Sequence, residues 1–134
     1  MKTRFILVAD NSDLIVDVLR KELAATTYAL LHAKNGQEAL DYLELLESEI
    51  ALLIIELELP VVSGLDVIWH LVNKKRPKQP KIIATSFVEV PALKQAITKF
   101  GVDAVVQIPM DAQDWHKTVE AVLGDSSKAS AAGV

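Results

Sequence analysis

Four short apolar runs of this chain end in residues whose chemistry can be read directly: Asp10-Asn11, Glu56 to Glu58, Thr85-Ser86 and Ile108-Pro109. Carboxylates and hydroxyls are hard oxygen donors, suited to cations and to N–H groups. Thiolate chemistry and disulfides are excluded because the chain has no cysteine. His32, His70 and His116 are too scattered to form a metal-ligand spacing. No glycine-rich phosphate loop follows the first run, and no second base or nucleophile flanks Glu56, so a small metal- or nucleotide-binding enzyme finds little support.

The elements that carry these residues follow from apolar periodicity. Partly β-branched runs at Arg4–Ala9, Tyr28–Ala33, Ala51–Ile55, Lys81–Thr85 and Ala104–Gln107 predict five strands. Helical period appears between and after them: Leu14, Val18 and Leu19 face away from Lys21 and Glu22, and Ala39, Leu40, Leu43 and Leu46 repeat the pattern. Asn35-Gly36 opens the second helix, Ser63-Gly64 the third, Gly101 closes the fourth, and Asp111 with Asp114 caps the fifth before Gly124. Strands joined by helical crossovers run parallel, so the alternation predicts an α/β fold, a (βα)5 doubly wound, five-stranded parallel sheet. The run at residues 51 to 55 is apolar throughout, as a central strand buried on both faces requires. Ligands of such sheets sit beyond the carboxyl ends of the strands, which is where the four polar endings fall.

The length, 134 residues, suits one domain over residues 1–123, and Gly124–Val134, small and polar, reads as a disordered tail or linker. Half the residues are hydrophobic (51%), yet every apolar run stops far short of the roughly 20 residues a membrane span needs, so no membrane role is expected. The N-terminus meets an acidic residue too early for a signal peptide, and a cytoplasmic protein is the simplest reading. A net charge of -4 argues against a general nucleic-acid binder. Its one basic cluster, Lys74, Lys75, Arg76, Lys78 and Lys81 around two prolines, reads as a solvated loop. Trp69 and Trp115 stand at helical positions beside apolar residues and read as packing residues.

Five segments in register resemble the receiver domain of bacterial two-component response regulators, over residues 3 to 123. FILVADNSDLIVDVLRKEL is similar to the first strand, acidic pair and first helix, and AKNGQEAL to the second loop and helix. LLIIELELPVVSGLDVI, with Pro60 and Gly64, is similar to the third strand, phosphorylation loop and third helix; IIATS and FGVDAVVQIPM complete the match. The resemblance implies a flavodoxin-like sheet in strand order 2-1-3-4-5 and a phosphoacceptor site at its top.

Position by position, that implied site is degenerate. Glu56 holds the place of the aspartate nucleophile, one methylene further out and out of register for in-line attack. Asp10 matches the first member of the acidic pair, but Asn11 puts a neutral amide where the second carboxylate belongs. Ile108, directly before Pro109, replaces the lysine that would pair with a transferred phosphoryl group. Thr85 keeps the switch hydroxyl, and Val105 replaces the family's switch aromatic. The resemblance also implies a cis Ile108–Pro109 peptide.

The expectation is a non-enzymatic pseudo-receiver that acts by phosphorylation-independent contact with signalling proteins or with itself as a homodimer. No cofactor is expected. Weak Mg²⁺ binding through Asp10, Glu56 and the carbonyl of Glu58 stays open, as does a role for Glu56 as a built-in phosphomimic read by Thr85. The alternative is an atypical response regulator that still accepts a phosphoryl group from a histidine kinase. Blander readings stand beside these: Asp10 as an acceptor for loop N–H groups, and Thr85 as a strand terminator. The family's partner surface maps to Lys94, Gln95, Thr98, Lys99, Val105, Gln107, His116 and Lys117.

Overall fold

A computed structural model describes residues 4–74, 78–88, 98 and 100–124. Its elements are β1 (Arg4–Ala9), α1 (Asp13–Leu23), β2 (Tyr28–Ala33), α2 (Gly36–Leu45), β3 (Ile50–Glu56), α3 (Gly64–Asn73), β4 (Lys81–Ser86), β5 (Ala104–Gln107) and α4 (Ala112–Leu123). The strands form one parallel sheet in the order β2-β1-β3-β4-β5, the expected topology. The helix expected between β4 and β5 falls largely on residues outside the described set, as do residues 125–134. Ala112–Leu123 is therefore the fifth helix of the sequence reading.

Each helix start is fixed by a short polar side chain that accepts a first-turn N–H. Ser12 accepts from Leu14, Asn35 from Glu38, Ser63 from Asp66, and Asp111 from Asp114. Alternation along the strands then divides the core in two. Leu7, Ala9, Leu53, Ile55, Ile82 and Ala84 pack under α2 and α3. Ile6, Val8, Leu52, Ile54 and Ile83 pack under α1 and α4, whose Leu19 and Trp115 are fully enclosed. All seven residues of β3 are buried, the signature of its central place.

Trp115 packs as expected, but Trp69 does not. It is 53% exposed and lies edge-on against Phe100, ring centroids 6.1 Å apart. The reason is angular: α3 buries Val67, Ile68 and Leu71, which puts residue 69 on the other side of the helix. Within the basic cluster, Lys74 pairs with Glu47 and Lys81 with Asp103, each at 3.9 Å; residues 75–77 lie outside the described set. Among the described residues no helix is long and apolar enough to cross a membrane.

The approach of α3 to the end of β3 depends on Gly64. Its N–H donates to the Leu57 carbonyl at 3.0 Å, and a Cβ there would overlap the carbonyl oxygen of Glu56. Gly64→Ala should therefore destabilise the fold by about 1–3 kcal/mol, read as a lowered urea midpoint at unchanged m-value. An unchanged midpoint would show that the loop yields without cost.

Candidate functional site at the carboxyl edge of the sheet

Strand register places five side chains, one from each strand or its end, in a single row. Asp10 continues the face of Ile6 and Val8; Val8 pairs in register with His32, Glu56 with Thr85, and Thr85 with Val106, two residues before Ile108. Side chains two apart on a strand share a face, as do in-register neighbours. His32, Asp10, Glu56, Thr85 and Ile108 thus line the α1–α4 side of the sheet's carboxyl edge.

Asp10 is built into this edge by its backbone and its side chain. Its N–H donates to the Ala33 carbonyl at 3.0 Å and extends the ladder. Its Oδ1 accepts the Ser12 N–H at 2.7 Å, so it does serve a loop N–H. The Asp10 carbonyl accepts from His32 Nε2 at 2.7 Å, which fixes that nitrogen as the protonated one. Nothing in the motifs marks His32; only its strand parity, two residues beyond Leu30, foretells the contact.

Glu56 turns toward Asp10. Its carboxyl accepts the Asn11 N–H and lies within hydrogen-bonding reach of the Asp10 carboxyl. Burial is the main force holding Glu56 protonated; the negative charges of Asp10 and then Glu58 add to it, pushing the group up to about 7. Burial also raises Asp10, while the Ser12 N–H and the Glu56 carboxyl partly offset the rise. No Lys or Arg among the described residues forms an ion pair with Asp10, Glu56 or Glu58.

Thr85 lies in the row but is not engaged. It is 1% exposed, and its Oγ1 has no hydrogen-bond partner, so it does not read Glu56. Nor does it end β4, which runs on to Ser86. That next hydroxyl is the one that meets an acid: Ser86 Oγ donates to Glu58 Oε1 at 2.6 Å and accepts the Val88 N–H at 3.1 Å. The sequence reading takes Thr85 as the hydroxyl of the site, whereas Ser86 is the one that meets an acid.

Ile108 is 2% exposed and belongs to the apolar cluster that holds Leu19 and Trp115. Its N–H donates to the Ser86 carbonyl at 2.9 Å, and the peptide to Pro109 is cis. Beside it an apolar cavity of about 210 Å³ opens between Leu14, Ile15 and Val18 of α1, Phe87 and Trp115. The residues present do not suit Mg²⁺. Asp10 is already engaged by Ser12 and Glu56, Asn11 is neutral, and among the described residues no three His, Asp or Glu side chains converge as a metal cage.

The expected partner surface is partly described. Lys94, Gln95 and Lys99 lie outside the described residues; Thr98, Gln107 and Lys117 are exposed. His116 is held between Glu22 at 3.4 Å and Glu120 at 3.3 Å. Val105 packs half-buried on the α2–α3 side, away from His116 and Lys117.

A carboxyl raised in the folded chain favours that chain fully below its unfolded value near 4.5, and the favour is lost as pH rises through about 7. Glu56→Gln cannot ionise and keeps a donor for Asp10. It should stabilise the protein at pH 8 by about 1–2 kcal/mol, a figure discounted for residual hydration of the carboxyl. Urea unfolding across the pH range should show this gain shrinking as pH falls toward 4.5; a constant difference would contradict a Glu56 carboxyl held protonated by burial.

Comparison with known proteins agrees with this architecture. Residues 6–120 match the family model of the response regulator receiver domain. The polar-differentiation response regulator DivK of Brucella ovis is 24% identical over 124 residues, covering 92% of this chain and 99% of that protein. Chemotaxis protein CheY4 of Vibrio cholerae superposes with a TM-score of 0.77 at 21% identity, covering 90% of this chain and 99% of CheY4. The Ssk1 receiver domain of Saccharomyces cerevisiae, solved with the histidine phosphotransfer protein Ypd1, superposes with a TM-score of 0.77 at 18% identity, covering 93% and 92% of the two chains. The chain therefore belongs to the response regulator receiver domain family of two-component signalling.

Proposed function

We propose that this receiver domain is a pseudo-receiver: a signalling module that works by binding a partner protein without being phosphorylated. One observation carries the reading. At the position where the family's reaction calls for a lysine, Ile108 is sealed into the apolar core and offers neither charge nor donor to a phosphoryl group. Phosphoryl transfer depends on preorganised positive charge, and removing such stabilisation costs orders of magnitude in rate.

The state of Glu56 supports the same conclusion. Half-protonated near neutrality and turned to Asp10, it is a poor nucleophile and a poor anchor for Mg²⁺. It also argues against constitutive phosphomimicry, since Thr85 Oγ1 makes no bond to it. The domain is thus read as a static scaffold rather than one locked in an active-like state. Ssk1 was solved with a histidine phosphotransfer protein, and a signalling protein or a second copy of the chain is the class of partner proposed here. The output is contact rather than catalysis, and no cofactor takes part.

Incubation with acetyl phosphate and Mg²⁺, followed by intact-mass measurement, should leave the wild type unmodified. The combined variant Glu56→Asp, Asn11→Asp and Ile108→Lys should gain a single phosphoryl adduct. A stoichiometric adduct on the wild type would establish the alternative, an atypical regulator that still accepts the group. Amide spectra around Asp10 and Glu56 should show no saturable shifts at millimolar Mg²⁺; saturation would restore the metal site.

A further inference from the structure

Two independent features of the carboxyl edge point to one missing ligand. The first is charge: Asp10 and Glu58 each lie close enough to Glu56 to repel its carboxylate, and no Lys or Arg among the described residues pairs with any of the three. The second is a hydroxyl. Thr85 Oγ1 is buried without a hydrogen-bond partner, in a residue only 1% exposed, and register with Glu56 sends its side chain off the same face. Leaving a buried hydroxyl unpaired costs about 1–3 kcal/mol, so an oxygen held this way favours a polar ligand that pairs with it, and its lone pairs can take an N–H.

The ligand's chemistry follows from what the row offers. Carboxylate oxygens and a hydroxyl are all acceptors toward a cation bearing N–H groups. Octahedral Mg²⁺ needs more converging oxygens than the described residues assemble. An ammonium or guanidinium tolerates two or three acceptors at uneven distances. Around the edge stand apolar side chains that a soluble surface would not collect for a free cation: Leu14, Val61, Phe87 and Val88, each more than half exposed. Each follows a strand's carboxyl end by a few residues, so together they form a collar at the same edge. Val61 is held there with φ at 71°, a left-handed conformation that a β-branched residue rarely adopts.

We propose that a lysine or arginine side chain of the partner protein inserts through this collar and completes the cleft in trans, its N–H groups taken by Glu56, Asp10 and Thr85. The collar receives the apolar residues flanking that basic side chain. The charge that Ile108 does not supply within the chain is thereby supplied by the partner. This rests on the reading of the domain as a phosphorylation-independent binding module.

Three probes separate the sources of the cation: a capped pentapeptide with one lysine between leucines, its norleucine counterpart, and butylammonium chloride. Titrated into the ¹⁵N-labelled protein, the lysine peptide should give saturable shifts centred on the amides of Asn11, Glu56 and Thr85. The norleucine peptide and butylammonium should each bind at least about tenfold more weakly. Thr85→Val should weaken the lysine peptide about threefold and Glu56→Gln about tenfold, while both variants keep a native amide spectrum. Equal binding of the norleucine peptide would reduce the site to a hydrophobic collar, and butylammonium as tight as the peptide would make the ligand a free amine; either overturns the proposal. Shifts elsewhere or none at all also overturn it. Such a failure leaves the acetyl phosphate result untouched, whereas a phosphoryl adduct would sink the parent reading without any peptide measurement.

Discussion

A carboxylate withdrawn from water must recover its lost hydration from a cation or from hydrogen-bond donors, or else take up a proton. At Asp10 and Glu56 burial favours the last, within a cleft where Ser12 and Asn11 N–H groups supply the close backbone donation among the described residues. Proton uptake is the cheapest neutralisation open to a pair of buried acids with no lysine beside them and with an amide in place of the second acid. Nucleophilicity, metal affinity and the silence of Thr85 all follow from that arrangement. On the proposed reading, a glutamate turned sideways to Asp10 would not attack a phosphoryl donor, and Thr85 Oγ1 makes no bond to it.

The fold tolerates this because its stability lies elsewhere. Two apolar layers, one under α2 and α3 and one under α1 and α4, enclose the sheet without calling on the polar row. Burying an isoleucine at residue 108 adds about 1.5–3 kcal/mol to the second layer, where a lysine would have had to reach out of it. Gly64 and the polar helix caps set the loops without help from the acidic pair. On the proposed reading, losing the chemistry would leave the architecture intact, and family membership is compatible with a changed function.

Much of this was legible in the residues. The five strands fall within one residue of their expected ends, since period and β-branching are local signals, and the caps at Asn35, Ser63 and Asp111 were plain for the same reason. The positions of Asp10, Glu56, Thr85 and Ile108 in one row followed from resemblance and strand parity together. Rotamer and proton were not legible. That Glu56 leans to Asp10 rather than to Thr85, or that Ser86 rather than Thr85 meets an acid, depends on side-chain torsions and on pairwise electrostatics across three strands. His32 escaped notice because its role runs through the Asp10 backbone carbonyl, and Trp69 because apolar neighbours in sequence did not specify its helix face.

The account turns on whether this cleft can hold a phosphoryl group at all. A crystal structure grown with Mg²⁺ and beryllofluoride tests that without reference to rate. The expected map shows the Glu56 carboxyl still against Asp10, Thr85 Oγ1 unligated by fluoride, and neither metal nor analogue bound. Density for beryllofluoride joined to Glu56 with Mg²⁺ beside Asp10 would contradict it.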